Sequence, residues 1–325
     1  MSVYLKGAGR SVLVALWAAG LPTVAGADTA DDPIVATPAA ARQALDDAWW
    51  TGPMLASGAG TLPKGRWLIE PYLFDIHSKD GDSLRSLTYV LYGLTDRVTV
   101  GAIPVFAFNL PDGAPDSSHI GVSDLTLTAQ YRLTQYRKGS WVPTTSVVLR
   151  EVLPTGRHDR LGGRASNGFG GGAYGTQLEF RAQTFTWMPN GRLLRLRLNT
   201  QAAASRATRV RDDSVYGTPV GFRGRAKPGA SLTVNAAMEY SLTRSWVLAT
   251  DLVYRHDEPT KVSGIGPDGA LVRFDSGTHD SFAVAPAVEY SWAPNVGVLV
   301  GLRVIPPIGG RRGTVTPAVA LNYVY

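Results

Sequence analysis

The sequence predicts an all-β protein: a transmembrane antiparallel β-barrel of about twelve strands behind an N-terminal leader. Three observations predict it. The chain opens with an export signal. No later apolar run is long enough to cross a bilayer as a helix. From Trp67 to the C-terminus, segments of roughly ten residues alternate apolar and polar side chains.

The export signal occupies residues 1–27. Lys6 and Arg10 supply a positive start, Ser11–Leu21 is a short apolar run, and Ala25-Gly26-Ala27 offers a small-x-small cleavage site before Asp28. An uncleaved membrane anchor is the competing reading, and the shortness of the apolar run counts against it. The net charge of the whole chain is +6, of which Lys6 and Arg10 supply two. A mildly basic exported chain suits an anionic lipopolysaccharide surface. With no basic helix and no basic-aromatic stretch, it does not point to nucleic acid. Cysteine is absent, which excludes disulfides, thiol catalysis and Cys-ligated metals. A closed barrel in lipid needs no such staples, because every backbone group pairs within the wall. No metal-binding or phosphate-loop spacing occurs, so no metal or other cofactor is expected.

Residues 28–65 form a leader without a strong strand, Ala- and Asp-rich first and then rich in turn formers from Trp49 to Gly65. It is either a periplasmic tail or a segment tucked into the lumen. In the second case Trp49, Trp50 and Pro53 are the plug or gate residues.

The barrel covers residues 66–325. Its clearest strand is 124–133, with Leu125, Leu127, Ala129, Tyr131 and Leu133 on one face and Asp124, Thr126, Thr128, Gln130 and Arg132 on the other. Residues 194–201, 174–184, 232–242 and 282–292 repeat the pattern, and a period of two excludes a helix. The polar face mixes Arg, Glu, Gln, Asn and Thr with almost no Lys, which suits a confined lumen better than the solvated face of a soluble sandwich. Strands fall near 66–76, 84–94, 97–108, 122–135, 141–153, 173–187, 193–205, 230–242, 246–256, 280–292, 296–306 and 313–325. Short connections, among them the hairpin signal Asn190-Gly191, alternate with long polar ones at 109–121, 154–172, 206–229 and 257–279. Outer-membrane barrels carry short turns on the periplasmic side and long loops outside. The last strand alternates to Tyr325, and so resembles the C-terminal signal read by the outer-membrane assembly machinery, although that signal more often ends in Phe.

Several motifs carry a family resemblance. They are Thr51-Gly52-Pro53, Thr61 to Trp67, Glu70-Pro71-Tyr72, Tyr92 to Arg97, Gly121 to Leu125 and Leu153-Pro154-Thr155-Gly156. In order and spacing they resemble the meta-pathway phenol-degradation-like family of outer-membrane β-barrels, across roughly 49–325. The resemblance implies an outer-membrane barrel associated with the breakdown of aromatic compounds and suspected of moving them.

The candidate functional residues are the charged side chains that the alternation turns inward: Glu70, Asp124, Arg132, Glu179, Arg181, Arg195, Arg197, Glu239, Asp251, Arg255, Glu289 and Arg303. Glu179 and Arg181 lie on a strand next to Arg195 and Arg197, so a cross-strand charge ladder is expected there. Such a ladder either leaves a selective constriction or fills the lumen. Basic clusters at Arg157, Arg160 and Arg164 and from Arg206 to Lys227 suit lipopolysaccharide phosphates, anionic solutes or plain solubility. His256-Asp257 and His279-Asp280-Ser281 flank one loop and are the place to look for hydrolysis. The reading is a monomeric channel in the bacterial outer membrane for passive uptake of small molecules, aromatic or hydrophobic ones among them, and not an enzyme. The alternatives are a sealed structural or surface-interaction barrel and, third, a hydrolase.

Overall fold

The computed structural model describes residues 41–308 and 312–325. The export signal at 1–27 and the first part of the leader lie outside the described residues. In chain order the strands are β1 (Trp67–Ser78), β2 (Gly81–Thr95), β3 (Val98–Ile103), β4 (Val105–Pro111), β5 (Gly121–Val122), β6 (Leu125–Thr134), β7 (Thr144–Leu153), β8 (Gly175–Trp187) and β9 (Leu193–Ser205). They continue with β10 (Thr208–Arg211), β11 (Arg223–Lys227), β12 (Ser231–Ser241), β13 (Trp246–Asp257), β14 (Lys261–Ile265), β15 (Leu271–Asp275), β16 (His279–Ala293), β17 (Val296–Ile305) and β18 (Thr314–Val324).

The wall is antiparallel and closes where β1 pairs with β18, as Leu68 with Val324 and Leu73 with Val319. β3 and β4 are one wall strand interrupted at Pro104, which has no N–H to give to the ladder. β5 and β6 are likewise one strand broken at Ser123-Asp124. So counted, the wall is a closed barrel of 12 strands. Closure leaves no free edge, which is the condition for β-structure to span lipid. Each predicted wall strand is present, with shifted ends. The strand expected to begin at 141 starts at Thr144, and β1 and β2 run on to a tight turn at Lys79-Asp80.

The two faces follow the alternation. Leu127, Leu196, Leu252 and Val300 are exposed on the outside, while Gln130, Arg197, Glu239 and Asp251 are buried inside. An exposed apolar band that circles the wall is larger than a soluble monomer carries, and it marks the lipid-facing surface. The chain is a transmembrane barrel of the bacterial outer-membrane type. Aromatic pairs sit at the turn-side ends of the strands: Trp67 on Tyr92 at 4.7 Å, Trp246 on Tyr290 at 4.6 Å and Tyr323 on Tyr325 at 5.5 Å between ring centroids. These amphipathic rings form the girdle expected at a membrane interface.

Two of the long loops are more ordered than the sequence reading allowed. The sequence reads 206–229 and 257–279 as long polar connections. They contain a second, four-stranded sheet in the order β10-β11-β14-β15. Its small core is Val210, Phe222, Ala226 and Val262, with Tyr216 and Val272 packed against it. The strands are only four or five residues long, so their alternation is brief enough to pass for ordinary polar loop.

Candidate functional site

The lumen is occupied. Residues 43–65 enter at the short-turn rim, cross the interior and leave at the same rim beside β1. At entry the Gln43 amide donates to the Gly191 carbonyl at 2.9 Å and the Trp49 amide to that of Arg244 at 2.8 Å. At exit the Lys64 amide donates to Asp96 at 3.0 Å and the Gly65 amide to the Gly93 carbonyl at 2.8 Å. Gly93 is required here, because a Cβ would overlap the Pro63 carbonyl.

Between these points the segment has no regular structure, so its backbone groups need partners from the wall. Lumenal carboxylates accept its amides. Glu289 takes those of Thr51 at 2.7 Å and Gly52 at 3.0 Å, and Asp251 takes those of Leu55 at 3.1 Å and Ala56 at 2.7 Å. Lumenal donors serve its carbonyls. Arg197 reaches Ala56 at 2.6 Å, Asn199 reaches Ser57 at 3.0 Å, and both Arg181 and Gln130 reach Gly58 at 3.2 Å. Charge-assisted bonds of this kind are the stronger class. The tip, Met54 to Ser57, is therefore held by side chains from β9 and β13, and Gly58 just beyond it by Arg181 of β8.

The remaining charges hold those partners in place. Glu239, fully buried, pairs with Arg195 through Nε at 2.6 Å and with Arg197 at 2.9 Å. Trp50 lies over the Arg195 guanidinium at 4.4 Å and against Phe185 at 6.3 Å. Glu179 pairs with Arg150 at 2.6 Å and with Arg181 at 3.0 Å.

The other side of the lumen is richer in apolar side chains, with Glu70 among them, and the space between it and the charged side is only partly filled. A cavity of about 350 Å³ lies between the leader and Leu68, Tyr72, Leu91 and Ile103. A second of about 180 Å³ is bordered by Phe74, Leu87 and Arg303, and a third of about 250 Å³ by Val105, Thr126 and Gln177. Leu55 at the tip of the leader and Tyr89 on β2 line all three. They stand where the spaces meet.

The outer mouth is covered by loops that are bonded together. Asp124 accepts the amides of Gly156 at 2.9 Å and Gly171 at 2.7 Å, which draws the 154–172 loop inward. Phe169 packs on Gly121, where a Cβ would overlap its ring. Asn109 donates to the Ser166 carbonyl at 2.8 Å, and Tyr216 donates to that of Gly171. Burial, then the nearby Asp124 charge, pushes the Tyr216 phenol up to about 12. Its hydroxyl therefore keeps its proton, and this bond, until the pH approaches that value.

A family model described as "Putative MetA-pathway of phenol degradation" matches residues 56–323. The chain belongs to this family. The matched stretch begins at Ala56, in the tip of the leader, and runs through the whole wall. No curated protein matches in sequence. Among solved structures, an outer-membrane channel from Pseudomonas putida F1 is similar with a TM-score of 0.60 at 14% identity, over 83% of this chain and 99% of that one. The translocator domain of the autotransporter NalP from Neisseria meningitidis gives 0.45 at 13% identity, over 83% and 90%. A mutant of the monoaromatic hydrocarbon channel TodX gives 0.40 at 12%, over 87% and 97%.

The predicted site residues fall into three groups. Glu179, Arg181, Arg195, Arg197, Glu239, Asp251 and Glu289 are buried together around the leader. Glu70 accepts from Asn322 at 3.1 Å beside the largest lumenal cavity, and Arg303 lies near Thr316. Asp124 ties a loop, Arg255 chelates Asp257 at the outer rim, and Arg132 makes no side-chain hydrogen bond or ion pair among the described residues. The expected ladder between Glu179 and Arg195 or Arg197 does not form. In the register Glu179 faces Gln201, whereas Arg197 faces Gln183 and Arg195 faces Phe185. The charges sort into two separate clusters instead, one completed by Arg150 and the other by Glu239. Trp49 and Trp50 are half-buried and Pro53 is buried, all within the inserted segment. Sequence reading missed Arg150 and Tyr89, although each follows the inward parity of its strand. His256 and Asp280 do meet, at 2.8 Å, and Tyr254 bonds the same carboxylate. They lie on the outward face of the wall, and no serine or threonine hydroxyl bonds His256 among the described residues.

Proposed function

We propose that the chain is a monomeric channel for passive passage of small apolar or aromatic molecules, gated by its own leader. The observation that carries this reading is the meeting of three lumenal cavities at Leu55 and Tyr89. A leader that only filled space would leave no such chain of voids, since protein interiors close up around what they bury. The lining supports the solute class: Tyr72, Tyr89, Leu68 and Leu91 give flat and aliphatic surfaces, and the arginines that share the lining, Arg150, Arg181, Arg195 and Arg197, are already paired with Glu179 and Glu239. The family description points to phenol breakdown, and the similar Pseudomonas structure is that of an outer-membrane channel. The step needs no covalent chemistry. Withdrawal of Met54 to Ser57 would join the spaces into one path.

One observation favours a second reading, a sealed barrel. The leader and the outer loops are both tied by many hydrogen bonds. Liposome swelling decides between them. Vesicles carrying the full chain should admit phenol slowly, and removal of residues 41–58 should raise the rate several-fold for phenol and for small sugars. If the shortened chain remains as tight as empty vesicles, while still migrating as a folded barrel, the channel reading fails.

A further inference from the structure

The outer sheet has a strongly basic face that the described residues leave largely unneutralised. In its register Arg209 sits directly across from Arg225, and Arg211 directly across from Arg223. All four side chains are exposed, and none makes a salt bridge among the described residues. Lys227 faces Lys261 in the row below, and Arg273 on β15 shares the face. The face thus presents seven basic side chains against one acid, Asp275. Like charges directly opposite each other destabilise a sheet. Here the arrangement occurs three times in neighbouring pairs, on short strands whose only other support is a small core.

The four arginines also line a concavity. A groove of about 580 Å³ runs along Arg209, Arg211, Arg223 and Arg225, with Arg160 at one end and Asp212 at its edge. Arg160 is placed by its amide, which donates to the Arg211 carbonyl at 3.2 Å, and by a left-handed backbone at φ 51°. The Asp212 carboxylate already accepts the Gly221 amide at 2.9 Å.

The direction of the face follows from what covers its reverse. Tyr216 packs on the apolar side and bonds Gly171, in the loop drawn over the lumen by Asp124. The basic side is turned the other way, outward from the barrel. Arg209 lies four residues beyond Ser205, the last residue of β9, roughly 13 Å further along an extended chain. The face therefore lies beyond the loop-side end of β9, on the side of the barrel that carries the long loops.

We infer that this face docks the phosphorylated sugar headgroup of an outer-leaflet glycolipid, lipopolysaccharide being the form such a membrane supplies. Forked guanidiniums in two rows suit bidentate contact with more than one phosphate. A bound polyphosphate group removes the repulsion that the empty face carries. The proposal is independent of whether the lumen conducts.

The test uses the full chain in phosphatidylcholine nanodiscs, with lipopolysaccharide added and bound glycolipid measured after washing. Replacing the four arginines together (R209S, R211S, R223S and R225S) should lower apparent affinity by at least about tenfold, given the contribution of each cation near an anionic surface. The same positions changed to lysine should retain most of the binding. Phosphatase-treated lipopolysaccharide should bind the unaltered chain as poorly as the serine variant binds the native lipid. Unchanged retention by a serine variant that still migrates as a folded barrel would overturn the assignment. So would equal binding of the dephosphorylated lipid. Inorganic polyphosphate added alone distinguishes the source: if it saturates the groove and lipopolysaccharide cannot displace it, the face serves soluble anions and the lipid assignment falls.

Discussion

The two sides of the lumen wall differ in what they must satisfy. From β7 to β16 the inner face carries Arg150, Glu179, Arg181, Arg195, Arg197, Glu239, Asp251 and Glu289, and there the leader is bound. From β1 to β4 it carries Leu68, Tyr72, Leu87, Tyr89, Leu91 and Ile103, with Glu70 the one acid beside them, and the cavities lie between the two sides. An irregular backbone at membrane depth is stable only where protein side chains take its hydrogen bonds. The charged side is therefore built around the leader, and the apolar side is left to a guest that makes no such demand.

The comparison can be broken most severely at Glu239. Its replacement by glutamine leaves Arg195 and Arg197 buried without the carboxylate they pair with directly, a loss of about 3–5 kcal/mol. The urea midpoint of the folded barrel in micelles should fall accordingly, and a midpoint unchanged from wild type would contradict the pairing. Next comes a charge on the other face of the same strand. Leu196→Arg, between Arg195 and Arg197 in sequence, points to lipid and should cost about 2–4 kcal/mol near the midplane. The yield of heat-modifiable barrel measures it, and normal assembly would mean that the faces are reversed. Asp251→Ala is milder. It strands the Leu55 and Ala56 amides, at about 1–3 kcal/mol, and should loosen the tip, giving flickering conductance in planar bilayers. On the apolar side Tyr89→Ala should change stability least and passage most selectively. Uptake of bulkier aromatics should rise relative to phenol, and an unchanged ratio would remove Tyr89 from the constriction.

The difference between the two sides also explains what was legible in the sequence. Strand alternation is a local property, so the wall, its inward face and even the hairpin at Asn190-Gly191 could be read directly. Family membership was carried by motifs that the structure shows to be joints. Gly93 lies against Pro63, and Asp124 ties Gly156. The ladder expected between β8 and β9 failed because facing pairs depend on register, and a shift of four residues separates Glu179 from Arg197's partner. Lumen insertion of the leader stood in the sequence only as one of two alternatives, and its course through the interior could not be read. Its bonds to the wall are made to residues 28 to 242 positions away, and such contacts leave no periodicity in either segment.

One feature of the leader has a mechanical meaning. It enters and leaves by the same rim, and its bonds follow one another along the chain, from Gly191 through Glu289 and Asp251 to Asn199 and Gln130. Tension applied to Gln43 from that rim would load these bonds singly, as in peeling tape, and not together, as in shearing a bolt. Each rupture then demands only the force of one or two contacts, and no part of the wall has to open for the strand to be drawn out or to slide back.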